Sequence, residues 1–200
     1  MAKGRIFIDY WNFQLNIINY YGKEFRLDWS KLSSLLIGKS ADIIGSLLEY
    51  EGMNVYMSFD DNKTSDKHLK DWAKNVLDKF PGIDVTMLER KPRNPFKCPD
   101  CHQEIIACPH CGKTMKATVE KGVDTAIVTD LISLAWENSW DYSILISSDK
   151  DFIPAVDMLN RKGFHVINAH FPPAGAELAN HCWASIDLGS CLKSIEFIRK

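Results

Sequence analysis

The chain has 200 residues, 46% of them hydrophobic, enough for one well-filled domain and too few for two. Its formal net charge of -2 and pI near 6.3 exclude a global polycation, so if the chain binds nucleic acid the contact must come from a local basic patch together with metal. No apolar run reaches the roughly 18 residues of a membrane span, and the opening MAKGRIFID enters a strand pattern directly, so a cytoplasmic protein with no signal peptide and no membrane partner is expected.

Residues 5–8 form a β-rich run that stops at Asp9, with Tyr10, Trp11 and Asn12 behind it; Asn12 is placed to cap the helix that follows. Residues 28–50 carry Leu32, Leu35, Leu36, Ile43, Ile44, Leu47 and Leu48 at helical spacing, with Gly38 and Ser40 marking a break and Gly52 the end. The run MNVYMSF at 53–59 predicts a second strand, stopping at Asp60 and Asp61. Residues 68–80 predict an amphipathic helix closed by Pro81-Gly82, and 83–88 alternate as a less buried strand does. Composition then shifts: 89–116 is polar, Pro-rich and Cys-rich, and Gly122 ends the excursion. Residues 123–136 resume as a helix, 142–147 as an apolar strand, and 152–162 as a helix with Pro154 in its first turn. A strand at 164–167, a last helix at 177–184 and a terminal edge strand through Ile195, Phe197 and Ile198 complete the chain. This alternation predicts a three-layer α/β/α fold with a mostly parallel sheet, one domain over 1–200 interrupted by an insertion at 90–117.

Asp9, Asp60 and Asp149 each follow an apolar strand directly, and the carboxyl ends of parallel strands lie on one edge. Asp124 heads a helix stripe that continues through Val128 and Leu131 and otherwise packs inward. Carboxylates gathered in a partly dry cleft repel one another unless a cation neutralises them, and Mg²⁺ or Mn²⁺ takes such oxygen ligands while keeping waters. Each acid also has a plainer reading. Asp151 can be the N-cap of the helix it precedes, Asp60 and Asp61 read as turn formers before Asn62, Asp124 suits its helix dipole, and Asp130 sits mid-helix in a supporting role.

Three blocks carry a resemblance: FIDYWN, with Asp9 and Asn12; KGVDTAIVTDL, from Lys121; and SSDKDF, with Asp149 and Asp151. In this order they resemble the signature blocks of the NYN domain, a branch of the PIN-like ribonucleases, over a span from Arg5 to about Leu188. The resemblance implies a PIN-like fold and a metal-dependent nuclease with Asp9, Asp124, Asp149 and Asp151 at the acidic cluster. It also places Asn12 beside the first acid, and Lys121, just before the second, is a cation able to meet phosphate. The Cys-rich insertion departs from the family pattern.

Within that insertion, Cys98-Pro-Asp-Cys101 and Cys108-Pro-His-Cys111 form C-x₂-C-x₆-C-x₂-C, two knuckles whose four thiolates suit one closed, structural Zn²⁺ site. Gly112 suits the turn of the second knuckle. Arg90, Lys91, Arg93, Lys97, Lys113, Lys116 and Lys121 surround it, and Arg93, Lys97 and Lys113 are candidates to grip an RNA backbone; a solvated loop or a protein-docking module is the alternative. Cys182 and Cys191 read as buried small hydrophobes, and His170 as structural or substrate-facing.

Two functions are carried forward. The first is an endoribonuclease, dependent on Mg²⁺ or Mn²⁺, that cleaves single-stranded or loop RNA. The second is a catalytically silent RNA- or protein-binding regulator with the same fold. A homodimer is left open.

Overall fold

The structure, a computed structural model, describes residues 1–92, 96–114 and 118–198. Its centre is a six-stranded sheet of β1 (Ala2–Asp9), β2 (Leu48–Phe59), β3 (Ile83–Glu89), β8 (Tyr142–Ile146), β9 (His165–His170) and β10 (Ala184–Asp187). The strand order is β10-β9-β8-β1-β2-β3, and all five pairings are parallel. The chain starts at the middle, winds outward through β2 and β3, then returns to β8 and winds out the other way. The reversal lies between β1 and β8, the place where open α/β sheets put their ligand crevice.

Side chains alternate across each strand, so the sheet feeds two cores. Ile6, Ile8, Ile144 and Ile146 enter one, beneath α1 (Tyr10–Tyr21), α2 (Trp29–Ile44) and α3 (Thr64–Asn75). Phe7, Leu145 and Val166 enter the other, beneath α4 (Val123–Trp136), α5 (Ile153–Arg161) and α6 (Ala176–His181). Covered on both faces, the central strands run continuously apolar. The three-layer expectation is met.

Several boundaries differ from expectation. Helix α2 runs unbroken through Gly38 and Ser40 and stops at Gly45, whose φ of 74° makes the left-handed turn that ends helices. Leu48 therefore begins β2 instead of continuing a helix, and Gly52 lies inside that strand, where Glu51 is the extra residue of a bulge against Gly4 and Arg5. Asn12 does not cap α1; the Asp9 carboxylate does, accepting the Asn12 N–H. The tail does not form an edge strand. That place belongs to β10, and after α7 (Leu188–Cys191) the tail makes one antiparallel bridge, Glu196 with Leu27.

The insertion is folded by two short ladders and a bridge. Strand β4 (Lys91–Pro92) pairs with β7 (Thr118–Val119), closing the two legs against each other, and β5 (Phe96–Lys97) pairs with β6 (Glu104–Ile105). Ala107 bridges Thr114 across the second knuckle. Among the described residues, no helix is long and apolar enough to cross a membrane.

Candidate active site at the carboxyl edge

Strands β1 and β8 are neighbours, with Ile8 opposite Ile146, so their exits bring Asp9 and the 147–151 segment together from 138 residues apart in sequence. Ser147 joins them. Its hydroxyl donates to Asp9 Oδ2 at 3.2 Å and accepts the Asp149 N–H at 3.1 Å. Asn12 adds a second link, its Oδ1 accepting the Ser148 N–H at 2.9 Å and Asn16 Nδ2 at 3.0 Å. Asn168, fully buried on β9, donates from Nδ2 to the carbonyls of Leu145 and Ser147 at 3.1 and 2.9 Å and so fixes where β8 ends. Sequence reading singled out neither this role of Ser147 nor Asn168. The signal present was a carboxamide inside an otherwise apolar strand.

Asp149 caps the short 3-10 turn Lys150–Phe152, accepting the Asp151 N–H at 2.9 Å. The capping role therefore falls to Asp149 and not to Asp151, whose exposed carboxylate has no hydrogen-bond partner among the described residues. Asp9 and Asp149 each cap the element that follows their strand, so one geometry both starts a helical turn and turns a carboxylate toward the edge.

The electrostatics report crowding. Asp9 is 6% exposed. Burial foremost, then the carboxylates of Asp124 and Glu120, push its carboxyl up to about 7 against the lowering bonds from Asn12 and Ser147. Asp124 is also raised, by burial first and then by Asp149, Glu120 and Asp151. Asp9, Asp124, Asp149 and Asp151 thus share one electrostatic neighbourhood. Glu120, unnoticed in the sequence, is a further member. No three His, Cys, Asp or Glu side chains among the described residues stand close enough to hold an ion as they are placed. The donor set is nonetheless all carboxylate oxygen, the chemistry a hard divalent cation takes.

Other acids lie elsewhere. Asp60 is a turn residue, accepting the Asn62 N–H and amide at 3.0 and 3.1 Å and the Thr118 hydroxyl at 3.1 Å, donors that hold its carboxyl below the usual range. Asp61 pairs with Lys70 at 3.2 Å, and Asp130 accepts the Tyr56 hydroxyl at 2.7 Å, a structural role. His170 is 7% exposed with Nδ1 2.7 Å from the Ala174 carbonyl, which makes it structural too. Burial pushes the Cys182 thiol up to about 12 and raises that of Cys191, as for small hydrophobes.

A cleft of about 480 Å³ opens beside the acids, lined by Asn12, Ser148, Asp149, Lys150, Gly175 and Glu177 among others. A larger one, about 580 Å³, lies on the opposite side of α1 among Tyr10, Gln14, Trp29 and Trp72. Of these two clefts, the smaller one contains an edge carboxylate, Asp149. Lys121 is exposed at the head of α4, next to Gly122.

The two cysteine knuckles share one geometry. Cys98 N–H donates to the Gln103 carbonyl and His102 N–H to the Cys98 carbonyl, both at 2.9 Å; Cys108 with Lys113 and Gly112 with Cys108 repeat this at the same distance. The fifth residue of each is left-handed, His102 at φ 58° and Gly112 at φ 67°, so glycine meets that demand without strain and histidine meets it at a cost. In each pair, backbone N–H groups and then the partner thiol pull the first thiol, Cys98 or Cys108, below its ordinary range, which suits a thiolate ligand. Donor type and knuckle shape fit zinc, while the two knuckles are not drawn to one point. Lys97 pairs with Glu104 at 3.7 Å and Lys113 is exposed; Arg93 lies outside the described residues.

No curated protein matches the chain significantly. Among solved structures, a protein of unknown function, VPA0982, from Vibrio parahaemolyticus RIMD 2210633 is similar in fold, with a TM-score of 0.54, 17% identity and 94% of each chain covered. The NYN domain family matches residues 6–189, a span that contains the end of β1 with Asp9, the insertion, α4 and the β8 exit. The chain belongs to the NYN domain family, whose domain is of the PIN-like nuclease type.

Proposed function

We propose that residues 1–200 act as one metal-dependent endoribonuclease domain, hydrolysing phosphodiester bonds of single-stranded or loop RNA in the cytoplasm. The observation that carries this reading is the crowding of Asp9, Asp124, Asp149 and Asp151 around the β1–β8 exits, with a buried Asp9 raised to about 7 by burial and neighbouring carboxylates. Such an arrangement is costly for a bare protein and becomes favourable with a divalent cation between the acids. Asp9 and Asp149 would hold Mg²⁺ or Mn²⁺ from positions fixed by Ser147, with Asp124 and Asp151 completing the shell. When bound, the metal supplies a water of lowered pKa and offsets charge on the phosphate oxygens.

The chain's own groups do the rest. Ser147 and Asn12 keep the two strand exits in register, so the acids need not reorganise when substrate arrives. Lys121 and Lys150, both exposed beside the acids, offer cations to flanking phosphates. Cys98, Cys101, Cys108 and Cys111 would hold one structural Zn²⁺ in the insertion (90–117), with Arg93, Lys97 and Lys113 gripping the RNA backbone.

The test is cleavage of a mixed panel of single-stranded, hairpin and duplex RNA and DNA with Mg²⁺, Mn²⁺ or chelator. Metal-dependent internal cleavage of unpaired RNA is expected. Binding of RNA without cleavage under every metal condition would instead assign a silent RNA-binding module. Elemental analysis should find one zinc per chain.

A further inference from the structure

The return leg of the cysteine insertion ends in Glu120, and its carboxylate is built into the exit of β2. Ser58, 1% exposed, is the hub. Its carbonyl accepts Trp11 Nε1 at 2.7 Å, which ties it to the first turn of α1, two residues past Asp9. Its hydroxyl accepts Arg90 Nε at 2.9 Å and donates to the Glu120 carboxylate. Arg90 begins the outgoing leg, with Nη2 3.5 Å from Glu120 Oε2, its guanidinium 4.9 Å over the Trp11 ring, and its N–H on the Phe59 carbonyl at 2.7 Å. Beyond them, Lys91 pairs with Val119, and the Thr118 hydroxyl donates to Asp60.

Both legs of the insertion therefore close on Ser58, Phe59 and Asp60. The register sets Tyr56 opposite Asp9, so Ser58, two residues on, shares that side of the sheet, the side covered by α4. Asp124, in the first turn of α4, comes only four residues after Glu120.

We propose that Glu120 is a positioning residue through which the insertion tunes the acidic edge: held by Arg90 and Ser58, it adds a carboxylate charge beside Asp9 and Asp124 and strengthens divalent-cation binding there. This rests on the reading of the edge as a metal site. Its sign follows from charge. Glu120 is bonded to Ser58, whose carbonyl holds Trp11 two residues past Asp9, and it stands four residues before Asp124, so its carboxylate deepens the negative potential a cation meets there. Removing its charge also leaves Arg90 unopposed near the edge, and both changes weaken cation binding. The cysteine knuckles hold the far end of the same legs, so loss of their order loosens Glu120 as well.

The experiment is titration of the full, zinc-loaded chain with Mn²⁺, following free Mn²⁺ by electron paramagnetic resonance, with zinc content and melting temperature recorded for each variant. Glu120→Gln, isosteric and only half-buried, should weaken Mn²⁺ binding about fivefold at an unchanged melting temperature. Glu120→Asp should restore most of it. In a Cys108→Ser/Cys111→Ser variant, Mn²⁺ binding should weaken similarly, and adding Glu120→Gln should then have little further effect.

Wild-type affinity in Glu120→Gln, with Mn²⁺ binding still abolished by Asp149→Asn, would overturn this proposal and leave the metal site standing. No Mn²⁺ binding by the wild-type chain would overturn the metal-site reading itself. A full Glu120→Gln effect persisting in the cysteine variant would break the link to the insertion. Should the cysteine variant fail to fold, the Glu120→Gln and Glu120→Asp titrations still decide the role of Glu120.

Discussion

The acidic edge and the cysteine insertion bring ionisable side chains together in opposite ways. At the edge, Asp9 and Asp149 stand 140 positions apart and are brought together because β1 and β8 are hydrogen-bonded neighbours whose last paired residues, 6–8 and 144–146, are buried. In the insertion, each thiol pair lies within four residues and is shaped by its own turn, with two-residue ladders and few buried side chains around it. The edge borrows its rigidity from two cores; the insertion has too little apolar surface for one and leans on its anchorage at Ser58, to which the zinc proposed for its cysteines would add. Damage to the edge should therefore show in electrostatics and chemistry with the sheet intact. Damage to the insertion should leave the sheet folded and reach the edge only through Glu120.

The largest effect that separates the two is a pH dependence confined to the edge. In the fold Asp9 holds its proton up to about 7, against 3.8 for the unfolded chain. Between these values the folded protein binds more protons than the unfolded one, so stability of the metal-free protein should fall as pH rises from about 4 to about 7 and level off above that. The full span corresponds to about 4 kcal/mol for an ideal, isolated site. Denaturant unfolding at a series of pH values should show this decline, Asp9→Asn should flatten it, and saturating Mn²⁺ should offset it. A wild-type profile that rises over this window would contradict the crowding.

A smaller effect is expected at Ser147, whose hydroxyl ties Asp9 to the Asp149 N–H. Ser147→Ala leaves two buried bonds unmade and should cost about 1–2 kcal/mol, read as a lower melting temperature. It should also raise the metal concentration needed for half-maximal cleavage, because the two strand exits are no longer joined.

For the insertion, Cys98→Ser/Cys101→Ser should abolish zinc binding and open residues 96–114 to protease, while the melting transition of the main sheet shifts by less than about 1 kcal/mol. Cooperative loss of the whole fold would mean that the insertion is part of the core. The mildest change is expected for Lys97→Ala and Lys113→Ala, which should reduce the salt dependence of RNA binding by a slope of about 0.7 for each phosphate left without its lysine, with cleavage at saturating RNA unchanged. An unchanged slope would remove the insertion from the RNA path.

How much of this was legible in the sequence depends on whether the signal is local. The runs FID and ISSDKDF are local, and they placed Asp9, Asp149 and Asp151 at strand exits correctly. The C-P-x-C pairs are local as well, and both fold as matching knuckles. Glu120 has no motif; the pairing of Lys91 with Val119, the Ser58 hydroxyl and the ion pair with Arg90 bring it to the β2 exit. Asn168 was hidden for a similar reason, because its partners are carbonyls on a neighbouring strand. The edge strand β10 has no clear signal in the sequence, where the helix expected over 177–184 takes in only its first residue, because its four residues, ASID, bury only one side chain and carry too short an alternation. Asn12 is not the cap expected of it, and the capping reading left open for Asp151 falls to Asp149, because the aspartate that follows a strand can itself cap the next turn.

The central claim is that the carboxylates at the β1 and β8 exits form a catalytic metal site. Its most direct test is Asp149→Asn, which keeps the side chain's size and leaves the cap geometry largely in place while removing one charge. Single-turnover cleavage of unpaired RNA in Mn²⁺ should fall by about a hundredfold or more, with zinc content, melting temperature and RNA affinity near those of the wild type. Cleavage at the wild-type rate by a properly folded Asp149→Asn protein would contradict the account.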